Sequence, residues 1–326
     1  MKKKKGKVRL LIAGIIFFSL GSITAFNLFN IKSPSKNPVE ISDSNNQEPK
    51  DSKDDESKKE QDTEKPSVGN QTSNNSEEDK PSDSEKEPQN TDNENPTLTQ
   101  DTAKAKEVMN FLKTRVDNNK EKKVAYLTFD DGPSTTVTPL ILDILKEHDI
   151  KATFFVLGSS IDKSEKAKEL LRRIADEGHT IGNHTYSHNY NYLYPNRTVN
   201  PDNFIADIEK NNEAISKALG KKFESKIIRF PGGHGSWKGT DAVDKLLEEK
   251  GYVYIDWNSL NGDSEGKSKT KDQLIQGFKE TRQYLSSDSD LVVLMHDTYG
   301  KEETAKALPE IINILKSEGY EFSTLH

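Results

Sequence analysis

Cysteine is missing from all 326 residues. Disulfides, thiolate metal ligands and a cysteine nucleophile are therefore excluded. There is no excess of basic charge either: 47 Lys and Arg stand against 54 Asp and Glu, a formal charge of −7. A nucleic-acid partner, which requires a basic face, is not expected. Aliphatic and aromatic residues are nearly absent from Ser33 to Gln100, where Ser, Asn, Asp, Glu, Lys, Gln and Pro dominate. Such a stretch buries too little apolar surface to offset the entropy of ordering, so residues 33–100 are expected to be a disordered polar linker. As a flexible tether it would reach about 45 Å, from about 5.5 Å times the square root of its length. Internal repeats are also lacking, which removes a solenoid from consideration.

What is present begins with MKKKKGKVRLLIAGIIFFSLGSITAFNLF, a cluster of lysines and Arg9 ahead of an apolar run from Leu10 to Phe29. A basic flank before an apolar stretch is an export signal with the lysines kept inside the cell. The run is close to the roughly 20 residues that span a bilayer. Ile23 suits a cleavage site after Ala25 poorly. Residues 1–32 are thus expected to be a retained single-pass membrane anchor, with the rest of the chain extracytoplasmic; secretion after cleavage is the alternative.

Folded sequence is expected from Asp101, with a helical lead-in over residues 101–121 and one domain over 122–326. Short β-branched or aromatic runs, VAYLTF, ATFFV, HTIGN, IIRF, YVYID, LVVLM and YEFSTL, alternate with amphipathic stretches. Leu308, Ile311, Ile312 and Leu315 fall at helical spacing. Gly178, Gly251 and Gly319 each stand between a helical stretch and a strand, where glycine ends helices. Alternating strand and helix predicts an α/β fold with a parallel sheet, and about seven strands in about 200 residues favour a barrel over an open sheet.

In such folds the working side chains stand where strands end. VAYLTF runs into Asp130 and Asp131, and HTIGN into His184, with His188 four residues on. IIRF carries Arg229 into PGGHG, YVYI leads to Asp256 and Trp257, and LVVLM to His296 and Asp297. Ionisable groups from five strands thus converge on one rim. Two histidines four apart can reach one cation, and with one aspartate they make a two-histidine, one-carboxylate site. Zinc suits it best, with iron, cobalt or nickel as other occupants.

The motifs TFDDG (Thr128–Gly132), HTYSH (His184–His188), RFPGG (Arg229–Gly233), DW (Asp256, Trp257) and LMHD (Leu294–Asp297) occur in that order. Together they resemble the polysaccharide deacetylases of carbohydrate esterase family 4, the NodB-homology domain, over about residues 122–326. The resemblance implies a deformed (β/α) barrel and metal-dependent removal of N-acetyl groups from a glycan, with a divalent metal, zinc or else cobalt or nickel. By the family's pattern Asp131, His184 and His188 hold the metal, and Asp130 is the general base. It further implies that His296 is the general acid, that Asp256 orients His296 (with Asp263 a rival for that place), and that Arg229 pairs with Asp130. The Gly232 backbone N–H becomes an oxyanion donor, and Trp257 and Leu294 form the acetyl slot.

One departure stands out. Gly232 occupies the place where an aromatic commonly walls the pocket, and Trp237 or a tyrosine of NYNYLYPN is a candidate to replace that surface. The anchor and tether favour a cell-wall glycan, most of all peptidoglycan, as substrate, acted on by a monomer. An O-acetyl polysaccharide esterase and a catalytically weak glycan-binding module on the same fold are the competing expectations. A non-haem iron oxygenase is disfavoured because no close His-x-Asp/Glu ligand pair accompanies Asp131, His184 and His188.

Overall fold

The computed structural model describes residues 98–115, 122–283, 285–286 and 289–326. The expected anchor, most of the linker and residues 116–121 of the lead-in lie outside them. Among the described residues no helix is long and apolar enough to cross a membrane.

The strands are β1 (Leu98–Thr99), β2 (Val124–Asp130), β3 (Thr153–Val156), β4 (Thr180–Asn183), β5 (Phe223–Glu224), β6 (Ile227–Ile228), β7 (Val253–Tyr254), β8 (Ser259–Leu260), β9 (Leu291–His296) and β10 (Glu321–Phe322). Eight form one sheet in the order β7-β6-β4-β3-β2-β9-β8, with β10 joining β2 beside its first residues. Every pairing in it is parallel. The outer strands β7 and β8 are consecutive in the chain yet unpaired with each other, so the barrel stays open there. This is the expected deformed (β/α) barrel. All seven sequence-predicted runs contribute strands to it, and β8 is an addition.

Side chains alternate across β2 because successive residues of a strand point to opposite faces. Ala125, Leu127 and Phe129 enter the large outer core with Val293 and Met295 of β9. The helices Thr138–Glu147 and Glu302–Ser317 close that layer through Ile141, Leu142, Leu308 and Ile312. Tyr126 faces the other way, into an inner cluster with Phe155, Val253, Ile255 and Val292. Thr128 and Asp130 share that inner face by the same alternation. In β9 the inner positions are Val292, Leu294 and His296.

Gly178, Gly251 and Gly319 have φ of 79°, 74° and 81°, as expected of residues that end helices. The lead-in helix spans Ala103–Thr114. Leu98 and Thr99, assigned to the linker from sequence, pair instead with Phe223 and Glu224. Gln100 is buried beside them, with its amide donating to the Ile181 carbonyl and accepting from Ser225. The folded chain thus starts a few residues earlier than its composition implied.

Candidate active site

The turn after β2 separates its two carboxylates. Asp130, still in the strand, points inward at the register of His296 on β9 and Phe155 on β3. Asp131 follows with φ 72°, a left-handed conformation that aspartate tolerates better than most residues. That change of backbone hand turns the second carboxylate away from the first and toward β4. Gly132 comes next, and a Cβ there would lie 2.2 Å from an Asp297 carboxylate oxygen. Only glycine lets the turn sit so close to the end of β9. Asp297 holds the far side: its Oδ2 accepts from Thr138 at 2.5 Å and its carbonyl from Ser134 at 2.6 Å.

His184 leaves β4 with its backbone N–H on the Val156 carbonyl. The loop that follows is held by buried amides. Asn183 Oδ1 accepts from the Thr185 N–H and from Asn211, and Asp207 takes both the N–H and the hydroxyl of Ser187. These bonds keep Thr185 at φ 69° and His188 at φ 51°. Such backbone persists only where its surroundings over-determine it. The result brings both imidazoles onto Asp131, with each Nε2 at 3.4 Å from Oδ1.

That contact tests whether a cation fits. His184 Nδ1 lies 2.9 Å from the Arg229 carbonyl, which can only accept, so the ring proton sits on Nδ1 and Nε2 carries a lone pair. Burial pushes the His184 pKa down to about 3, against the pull of Asp131, and keeps the ring neutral. Asp131 Oδ1 is buried and has no hydrogen-bond donor. A lone pair and a carboxylate oxygen facing each other with no proton between them repel, and a positive ion among the three removes the repulsion. Their ligand atoms lie within 4.8 Å of one another, and the backbone carbonyl behind His184 fixes its tautomer as outer partners of metal ligands do. The donor set of two imidazoles and a carboxylate fits a divalent metal.

Asp130 is placed differently. Its Oδ1 accepts from Arg229 at 2.8 Å, and its Oδ2 is 3.7 Å from His184 Nε2. Burial raises its pKa, and the Arg229 charge and His296 oppose that rise without cancelling it. Across the register, His296 donates Nδ1–H to Asp263 at 2.7 Å. Burial alone would lower the His296 pKa, but the Asp263 hydrogen bond and charge, helped by Asp130 and Asp131, push it up to about 9. Beside the three-ligand cluster there thus stand a carboxylate able to take a proton and, opposite it on β9, an imidazolium able to give one.

A family model described as polysaccharide deacetylase matches residues 117–255. A peptidoglycan-N-acetylglucosamine deacetylase of Bacillus cereus is 32% identical over 210 residues, covering 64% of this chain and 71% of the relative. The chain belongs to the polysaccharide deacetylase family. A Streptococcus mutans CE4 esterase shares the fold with a TM-score of 0.61 and 34% identity, covering 70% of this chain and 92% of that one. A peptidoglycan-N-acetylmuramic acid deacetylase of Bacillus subtilis is 32% identical over 216 residues, 64% of this chain and 72% of its own.

Within this polysaccharide deacetylase the other expected residues divide into three groups. Arg229 is fully buried and forms its expected pair with Asp130. It also donates to Thr128 Oγ1 at 2.7 Å and to the Ile255 carbonyl at 3.0 Å, and packs 4.1 Å above the Phe155 ring. Removing one partner of a buried pair strands the other, so Arg229→Met should cost about 3–5 kcal/mol in urea unfolding. Adding Asp130→Asn to that variant should recover part of the loss. A cost of less than about 1 kcal/mol would show that water reaches the pair.

Leu294 lies on the inner face of β9 one step below His296, and Trp257 packs against the inner cluster within 5.6 Å of the Arg229 guanidinium. Leu294 is buried, and the partly buried Trp257 ring has its edge beside Gly233. Gly232 sits in the turn after Pro231 with φ 79°.

Asp256 is the correction. Its carboxylate accepts the His234 N–H at 3.1 Å and its carbonyl accepts from Arg229 at 3.3 Å; it does not hold His296. Asp263, the rival, does so, because the chain makes an extra excursion through β8 before it reaches β9. One Asp263 oxygen takes the ring N–H of His296, and the other takes its backbone N–H at 2.9 Å and the Thr304 hydroxyl at 2.7 Å. Asp256 instead anchors the loop containing Gly232 and Gly233.

Proposed function

We propose that this chain is a divalent-metal-dependent deacetylase that removes N-acetyl groups from N-acetylglucosamine in a cell-wall glycan, most directly peptidoglycan. The observation that carries this is the donor-less Asp131 oxygen facing two imidazole nitrogens at 3.4 Å. Asp130 and His296 stand opposite each other on the paired strands β2 and β9. The substrate class is supported by the Bacillus relatives, which are named as deacetylases of peptidoglycan N-acetylglucosamine and N-acetylmuramic acid. Zinc is the proposed metal, with cobalt or nickel as substitutes. The lysine-flanked apolar run at the N-terminus supports a membrane-attached enzyme facing out of the cell.

The residues divide the work by charge. Asp131, His184 and His188 would hold the cation, which when bound acidifies water and polarises a carbonyl oxygen. Asp130, buried with a raised pKa yet held in place by Arg229, takes the proton from the attacking water. Negative charge then develops on the acetamide oxygen, for which the Gly232 N–H is the donor we assign. The departing amine is a poor leaving group until protonated, and His296 Nε2 supplies that proton because Nδ1 is committed to Asp263.

The full chain, stripped of metal and reloaded with zinc, cobalt or nickel, is expected to release acetate from N-acetylglucosamine oligomers and from peptidoglycan. Loss of one acetyl mass per cleaved sugar should accompany the release. Acetate from O-acetylated glycan alone would make the enzyme an esterase, and no acetate from any substrate by zinc-loaded protein would leave a glycan-binding module.

A further inference from the structure

One side of the site's rim is built of aromatic rings that the chemistry above does not use. Tyr190 follows His188 by two residues, at the start of the short helix Tyr190–Leu193 that Asn189 caps. Its ring centre lies 5.1 Å from that of His188 and 5.2 Å from that of Trp237, edge to face. Trp237 stacks on Tyr194 at 3.9 Å and an interplanar angle of 12°, and its indole N–H donates to the Pro231 carbonyl at 2.8 Å. Behind them, buried Tyr194 packs toward Phe204, which stacks on Phe230 at 4.3 Å. A ladder of rings therefore rises from the core and ends in Tyr190, which is 44% exposed.

The ladder also explains the bare backbone at position 232. A Cβ on Gly232 would stand 3.1 Å from the Trp237 ring edge and 3.2 Å from the Tyr190 hydroxyl, on a backbone with φ 79° that side chains rarely adopt. The volume a side chain at 232 would enter is already walled by these two residues.

A rigid, half-exposed ring beside a polar catalytic centre offers an apolar face and a polar tip. A pyranose presents the complement: a face of C–H bonds edged by hydroxyls. We infer that Tyr190, braced by the Trp237–Tyr194 stack, is the platform on which the sugar bearing the acetamide lies, and that it selects an N-acetylhexosamine over smaller acetamides. This rests on the proposed glycan substrate. Neighbouring Tyr192, 41% exposed, has no ring partner in the ladder and serves as the comparison.

The test separates binding from turnover. In the zinc-loaded full chain carrying Asp130→Asn, titration calorimetry with tetra-N-acetylchitotetraose should show Kd weakened about tenfold by Tyr190→Ala, and by less than about threefold by Tyr190→Phe, which keeps the ring. Tyr192→Ala should leave Kd unchanged. On the otherwise native chain, Tyr190→Ala should raise KM by a similar factor, with kcat falling less than about threefold and zinc content kept at one per chain. An unchanged Kd in Tyr190→Ala, a fall in kcat at constant KM, or no binding by protein that retains Tyr190 would each overturn the platform. Tetramer binding that depends on Tyr190, with no acetate released by native enzyme, would uphold the platform and sink the deacetylase reading instead.

Discussion

Asp131→Asn is expected to cost metal and activity together, whereas Asp130→Asn costs activity and leaves the metal in place. The two carboxylates are adjacent in sequence but differ in their partners. Asp130 Oδ1 is engaged by Arg229, whose charge offsets its own. An amide at position 130 still accepts that hydrogen bond, so the geometry of the neighbouring site should survive, although the buried Arg229 charge left without its counter-ion lowers stability. What is lost is a base, and general-base groups contribute about 10²–10⁴-fold. Acetate release should therefore fall by about a thousandfold at unchanged zinc content. Asp131 Oδ1 has no donor and is met only by the two imidazoles. Losing an outer partner of a metal ligand already weakens binding about 10–100-fold, so loss of the charged ligand itself should exceed about a hundredfold. Zinc per chain by elemental mass spectrometry, read beside acetate release, checks both. Loss of zinc from the Asp130 variant would make Asp130 a ligand and leave the base unassigned.

The division between these aspartates shows what was legible in the sequence and what was not. The strands could be read because each long run of apolar and β-branched residues ends abruptly in polar ones, and that boundary is where a parallel barrel presents its side chains. TFDD and HTYSH are local patterns, so their residues needed no tertiary information to be proposed together. The strands β1, β5 and β8 span two residues each, as β6, β7 and β10 do, but unlike those they lie outside any apolar or β-branched run, so no pattern registers them. Their pairing is imposed by the elements around them. The partner of His296 was misassigned for a related reason. Asp256 and Asp263 both precede β9, and the choice depends on how far the chain travels through β8 before Asp263 reaches His296. The ring ladder was only half legible. Trp237 and the loop tyrosines were visible as aromatics, but nothing local separates Tyr194, buried in the stack, from Tyr190 at the rim.

Asp263→Asn should shift the pH dependence of the enzyme, and the sign follows from the balance at His296. Burial is the largest influence there and lowers the pKa; the bond and charge of Asp263 come next and reverse it, so the ring holds its proton up to about pH 9. With the Asp263 charge removed, burial regains the balance against the weaker pull of Asp130 and Asp131. His296 then loses its proton at lower pH, and the alkaline limb of kcat/KM moves from near 9 toward neutrality. Near pH 8 the acid is largely spent and kcat/KM falls by about 10²-fold, within the range of a lost general acid. Below the shifted limb much of the activity returns, which no general loss of structure would produce. Stability should follow the same linkage. A histidine whose folded pKa lies above its unfolded value of about 6.5 contributes stability fully present below about pH 6.5. That contribution disappears as pH rises through 9, so the variant's deficit in Tm should be largest in mild acid and shrink above pH 9. Asp256→Asn, which touches the His234 loop and not His296, should leave the alkaline limb in place. If Asp256→Asn moved that limb and Asp263→Asn did not, the assignment of the two aspartates would have to be exchanged.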